Sequence, residues 1–141
     1  MKVLLDLNVL LDVIQNRQPH YADSARVLSA ARSGEFEALI PFHAVTTIFY
    51  LIERAQDTAT ASQTVDWLLQ HFEVPAVDKT TLLHARKLKL KDFEDAVVAS
   101  VAVRDVCDYV ISRNAADFSV SPVKAISPPN FLKVLHSQKK V

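Results

Sequence analysis

Three aspartates, Asp6, Asp95 and Asp117, stand at points of the chain where a phosphodiester-cleaving site could be assembled. Asp6 closes the apolar run KVLLD at residues 2–6. Asp95 belongs to the acidic cluster Asp92-Phe93-Glu94-Asp95. Asp117 lies just beyond the run DYVIS at 108–112 and the following Arg113 and Asn114. Carboxylates brought together repel one another and become hard to ionise. A hard divalent cation relieves that repulsion, and magnesium, which takes oxygen ligands and keeps several waters, needs only two or three of them. Such an ion activates water and stabilises charge on a phosphoryl oxygen. The glycine count supports side-chain chemistry by exclusion. Gly34 is the one glycine in the chain, whereas phosphate-cradling loops need several so that backbone can approach phosphate closely. Each acid also has an ordinary structural reading. Asp6 can cap a helix, Asp92 with Asp95 resembles a capping pair, and Asp117 suits a turn.

The acids can meet only if the chain folds around them. Its 141 residues are half hydrophobic, enough for a real core and too apolar for disorder, and suit a single domain over 1–141. Sixteen basic and sixteen acidic residues give a net charge of +0, which speaks against a general nucleic-acid coat but not against local patches. Cys107 is the sole cysteine, so an intramolecular disulfide and a cysteine zinc site are both excluded, and a buried, reduced thiol in a cytoplasmic protein is expected. The apolar start is cut by Asp6 and Asp12, unlike a signal peptide, and no stretch approaches the ~20 apolar residues of a membrane span.

Short apolar runs at 2–6, 37–41 (EALIP), 108–112 and 123–127 (VKAIS) predict strands, with a weaker one at 73–77, where Pro75 removes a donor. Helices are predicted between them. Residues 8–14 form one capped by Asn8, 20–32 a second closed by Gly34, 43–55 a third, and 58–72 a fourth with Val65, Leu68, Leu69 and Phe72 inward. Residues 79–88 and 93–105 give two more, capped by Asp78 and Asp92, and Pro128 or Pro129 opens the last. Lys139 and Lys140 form a loose basic tail, and Trp67 suits the core or a dimer contact. No link reads as a tight hairpin. The alternation predicts an α/β fold with a parallel sheet and helices on both faces, where ligands gather at the carboxyl ends of the strands. Asp6, His43 and Ser112 to Asp117 all fall there.

The stretches Val3-Leu4-Leu5-Asp6-Leu7-Asn8-Val9-Leu10-Leu11-Asp12, Asp92-Phe93-Glu94-Asp95-Ala96 and Val110-Ile111-Ser112-Arg113-Asn114-Ala115-Ala116-Asp117-Phe118, in this order, resemble the PIN domain. This nuclease family includes many prokaryotic toxin ribonucleases. The resemblance spans essentially the whole chain. It implies a three-layer α/β/α fold with a central parallel sheet of four or five strands, and cleavage of RNA dependent on Mg2+ or Mn2+. Carried over residue by residue, it makes Asp6, Asp95 and Asp117 the catalytic metal ligands and Asn8, Thr47, Ser112 and Asn114 water-orienting groups, with Glu94 and Asp92 as extra acids. An antitoxin protein and a homodimer are the partners it implies.

One departure stands out. The family's usual glutamate on the helix after the second strand is replaced by Thr47, Asn114 falls where many members carry a further acid, and Glu53 lies too far along to substitute. A site so depleted of charge is expected to hold its ion weakly, which keeps open an alternative: a PIN-like module that binds RNA or protein without turnover. An aspartyl phosphatase of the haloacid dehalogenase type is disfavoured, because it asks for a second aspartate where Asn8 stands. Arg86, Lys87, Lys89 and Lys91 run up to Asp92 and, with Arg113, are candidate phosphate contacts. The same run reads equally as a solvated helix end. His43 is either a proton shuttle or a structural histidine.

Overall fold

A computed structural model describes residues 1–139. Lys140 of the expected basic tail lies outside the described residues, and Lys139 pairs with Glu35. The element order is β1 (Lys2–Leu5), α1 (Leu7–Ile14), α2 (Tyr21–Arg32), β2 (Glu37–Leu39), α3 (Phe42–Ala55), α4 (Thr58–His71), α5 (Lys79–Lys87), α6 (Phe93–Arg104), β3 (Tyr109–Ile111), a 3-10 turn (Ala115–Phe118), β4 (Ala125–Ile126) and α7 (Pro128–Lys139). The four strands are all parallel and lie in the order β2-β1-β3-β4.

Alternation along β1 divides the core in two. Val3 and Leu5 point into a cluster that takes in α1, α2, α3, α4 and α7, while Leu4 packs on the other face against Val98, Ala99 and Ala102 of α6. The small residues of α6 let that helix lie close to the sheet. The result is the expected three-layer α/β/α sandwich around a parallel sheet.

Three local expectations change. Asn8 does not cap α1. Asp6 does, accepting from the Leu7 backbone N–H at 2.9 Å, because strand and helix join without a loop. The weak strand at 73–77 shrinks to a single bridge between Leu39 and Glu73; Pro75 has no N–H with which to extend the ladder. Leu69, expected inward, is 54 % exposed, because α4 buries only a narrow stripe through Ala61 and Leu68. Cys107 is buried as expected, and burial pushes its thiol up to about 11, where it is unreactive. Gly34 takes φ +77° just past α2, a left-handed position that glycine adopts without strain.

Phe131 of α7 is fully buried, edge-on to Phe36 with ring centroids 4.9 Å apart, and also meets Tyr109 of β3. It ties the last helix to the sheet. Phe131→Ala is expected to cost about 3–5 kcal/mol of unfolding free energy in a urea titration. A loss below about 1 kcal/mol would mean that α7 does not depend on this contact.

Candidate active site

The strand order creates a topological switch point. From β1 the chain goes to β2 on one side and later returns to β3 on the other, which opens a crevice at the carboxyl ends of β1 and β3. Asp6 follows β1 and Ser112 follows β3, each held by a sheet bond, Asp6 N–H to the Ile111 carbonyl at 2.9 Å and Ser112 N–H to the Ile126 carbonyl at 3.0 Å. The side chains meet across the crevice. Ser112 Oγ donates to Asp6 Oδ2 at 2.7 Å and accepts from Asn8 Nδ2 at 3.2 Å and from the Asn114 N–H at 3.0 Å. Asn8 also donates to Asp6 Oδ2 at 3.3 Å and accepts from the Arg113 N–H at 3.2 Å.

These contacts use all the hydrogen-bonding capacity of the Ser112 hydroxyl, one donor and two acceptor sites. Ser112 and Asn8 were expected to orient water. Instead they fix the Asp6 carboxylate and bind the loop after β3 to it.

A cleft of about 590 Å3 lies over this network. Asp6, Asp92, Glu94, Asp95 and Asp117 all line it, as do Asn8 and Asn114. Asp92 caps α6, accepting from the Asp95 N–H at 3.0 Å, and also lines the cleft. Asp117 is carried in by the 3-10 turn. Burial, then the charges of Asp6, Asp92, Asp117 and Glu94, push the Asp95 carboxyl up to about 7. Burial also raises Asp6, opposed by its hydrogen bonds from Ser112 and Leu7 and by the nearby His43.

Among the described residues, no three His, Cys, Asp or Glu side chains come close enough together to hold an ion by themselves. The donor set nevertheless suits a hydrated magnesium-like cation, which keeps most of its waters and takes one or two carboxylates. Five mutually repelling acids in one cleft, one of them kept protonated near neutrality, are the electrostatic signature of a site that gains by binding such a cation.

The other predicted residues divide. Lys89 and Lys91, in the segment between α5 and α6, line the cleft; Arg86 and Lys87 lie on the exposed end of α5 and do not. Thr47 lies a turn along α3 from the cleft and does not line it, whereas His43 of the same helix does. The His43 carbonyl accepts from Thr46 Oγ1 at 3.1 Å, and the residue lines the cleft. The position after a strand was the signal for His43, but lysine position in a loop could not be read from helical spacing.

Arg113 departs from its expected use on phosphate. Its Nε lies 2.9 Å from Oδ2 of Asp12, a fully buried carboxylate that also accepts from Ser24 Oγ at 3.0 Å. The pair anchors the loop carrying Asn114 and Asp117 to α1, and only 24 % of the Arg113 side chain is exposed.

Two outcomes follow. Arg113→Ala leaves Asp12 buried without its partner and is expected to destabilise the fold by about 3–5 kcal/mol in a denaturant titration. A neutral effect would return Arg113 to the surface cations. The second concerns Asp95. The folded protein keeps its proton up to about pH 7, while the unfolded chain releases it near the ordinary aspartate value of about 4. The folded state therefore binds more protons between these values and loses stability as pH rises through them. In metal-free buffer, Asp95→Asn is expected to melt above the wild type at about pH 8, with the gap closing as pH falls toward about 4. A mutant that melts lower at every pH would show that the acids do not strain one another.

Comparison with known proteins adds the following. A family model for the PIN domain matches residues 2–116. Ribonuclease VapC1 of Aquifex aeolicus (strain VF5) is 22 % identical over 123 residues, covering 84 % of this chain and 85 % of that protein. The structure of VapBC-1 from nontypeable Haemophilus influenzae superposes with a TM-score of 0.70 at 16 % identity, covering 92 % of this chain and 99 % of the other. The Mycobacterium tuberculosis toxin VapC20, described as cleaving the sarcin-ricin loop, gives 0.66 at 11 % identity, covering 86 % and 98 %. At these identities the superpositions speak for the fold.

Proposed function

The chain belongs to the PIN domain family, and on that premise we propose that it is an Mg2+- or Mn2+-dependent endoribonuclease, the toxin of a toxin–antitoxin pair. The observation that carries this reading is the convergence of five carboxylates on one cleft at the switch point of a parallel sheet, with Lys89 and Lys91 in the same wall. Likeness to the VapBC complexes supports an antitoxin partner. A homodimer and a cytoplasmic location go with the same reading; no helix among the described residues is long and apolar enough to cross a membrane.

Asp6, Asp95 and Asp117 would hold the cation, with Glu94 and Asp92 adding charge. When bound, the ion lowers the pKa of a water and stabilises charge on the scissile phosphate. The chain's own residues do the rest. Ser112 and Asn8 keep the Asp6 carboxylate in one orientation. Lys89 and Lys91 offset the repulsion between the acids and an RNA backbone. His43 places an imidazole in the wall of the cleft. Asn114 is the remaining polar group available to orient a water.

A second reading, a module that binds RNA or protein without turnover, is favoured by two facts: Thr47 brings no carboxylate, and among the described residues no three acids lie within ligating reach of one point. Cleavage of labelled RNA in magnesium or manganese separates the two. The wild type is expected to cleave, Asp95→Asn to lose roughly 100-fold or more, and Ser112→Ala to lose about 10-fold through a misoriented Asp6. Equal cleavage by wild type and Asp95→Asn would overturn the assigned site. Absence of manganese binding by calorimetry would favour the second reading.

A further inference from the structure

A second cavity adjoins the acidic cleft, and nothing in the proposed chemistry uses it. Its volume is about 200 Å3 and its walls are almost wholly apolar, formed by Pro75, Val77, Leu82, Val97 and two phenylalanines, Phe42 and Phe93. Those two rings are costly to leave in water, yet Phe42 is 60 % and Phe93 47 % exposed. Each opens a helix with a buried face: Phe42 starts α3 and Phe93 starts α6. His43 and Glu94, the residues directly after them, line both this cavity and the acidic cleft. The two hollows therefore share a wall, one charged and one apolar.

We propose that the cavity lined by Phe42 and Phe93 is a nucleobase subsite, which receives one unstacked base of a single-stranded RNA whose backbone lies in the adjoining acidic cleft. The proposal rests on the ribonuclease reading and deepens it by assigning one base of the RNA to a named hollow. Size selects the occupant. The cavity is smaller than the roughly 300–1,000 Å3 of a pocket for a drug-sized ligand, and it offers no trough for a helix about 10 Å across. It suits one flat ring system. Exposed aromatic rings are the usual platforms for unstacked bases, and stacking on them is tolerant of sequence. Lys89 and Lys91 in the neighbouring wall fit the phosphates on either side of such a base. A duplex cannot present a base this way without paying to unpair it, so the subsite also discriminates against double-stranded RNA.

The test is an anisotropy titration of labelled octauridylate, in calcium in place of magnesium, against wild type, Phe42→Ala, Phe93→Ala and Phe93→Trp. Both alanine variants are expected to bind about 10-fold more weakly, and Phe93→Trp to bind like the wild type. Wild type is further expected to bind an oligomer with one abasic position more weakly than the intact one, and Phe93→Ala to tell them apart less well. Both rings are largely exposed, so melting temperatures close to that of the wild type are expected. The abasic comparison, made on wild type alone, decides the matter if a variant fails to fold. Affinity unaltered by both phenylalanine changes and by the abasic position would overturn the subsite, as would failure of every protein to bind. A shift in oligomeric state by light scattering with RNA affinity intact would assign the face to a protein contact and equally overturn it. Binding that depends on Phe93 in a protein that never cleaves RNA would uphold the subsite while the nuclease reading fell.

Discussion

The site depends on one contact, the 2.7 Å hydrogen bond from Ser112 to Asp6 across the crevice between β1 and β3. Asp6 is a buried carboxylate, and burial alone drives it toward the neutral acid. A carboxylate in that position stays useful to a cation only if its oxygens are held by donors, and Ser112, Asn8 and the Leu7 backbone N–H supply them. The same hydroxyl accepts from Asn114, so the loop that brings in Asp117 is fixed through the atom that fixes Asp6. The strand ends, the start of α1 and the loop after β3 are thus joined at one oxygen. The parallel pairing of β1 with β3 is what makes that junction possible.

Electrostatics divides the acids by use. Asp12, six residues after Asp6, is fully buried and paired with Arg113, so its charge is spent on structure. Asp6, Asp92, Glu94, Asp95 and Asp117 share a cleft without a paired arginine, and the strain appears in Asp95, held near pH 7 by burial and by its neighbours. The sequence's zero net charge therefore conceals an acidic hollow bordered by Lys89 and Lys91. The apolar cavity beside it adds a third character to the same face, and His43 and Glu94 stand where the two hollows meet.

The loss of a glutamate at Thr47 now has a structural context. Thr47 does not line the cleft, so its hydroxyl does not stand in for the missing carboxylate. Acidity comes instead from the start of α6, where Asp92, Glu94 and Asp95 all line the hollow. Glu94 lines it together with Asp95 despite the roughly 100° rotation between neighbours on a helix.

Much of this was legible in the sequence, and for definite reasons. Short apolar runs gave the four strands, and their alternation with helices gave a parallel sheet, because short hairpin links were missing. The position of Asp6, Asp95 and Asp117 after or beside those strands put them at one edge, and they do line one cleft. What the sequence left undecided were partnerships between residues far apart. Whether Ser112 holds a water or Asp6, and whether Arg113 meets phosphate or Asp12, depends on which strands are neighbours and on the depth at which each side chain is buried. The strand order and the distances across the crevice decide both, because the Ser112 hydroxyl with three contacts has no capacity left, and Arg113, drawn to the buried Asp12, does not line the cleft. The apolar cavity belongs with these: Phe42 and Phe93 are 51 positions apart in the chain, and only packing α3 and α6 on the sheet brings them to one hollow.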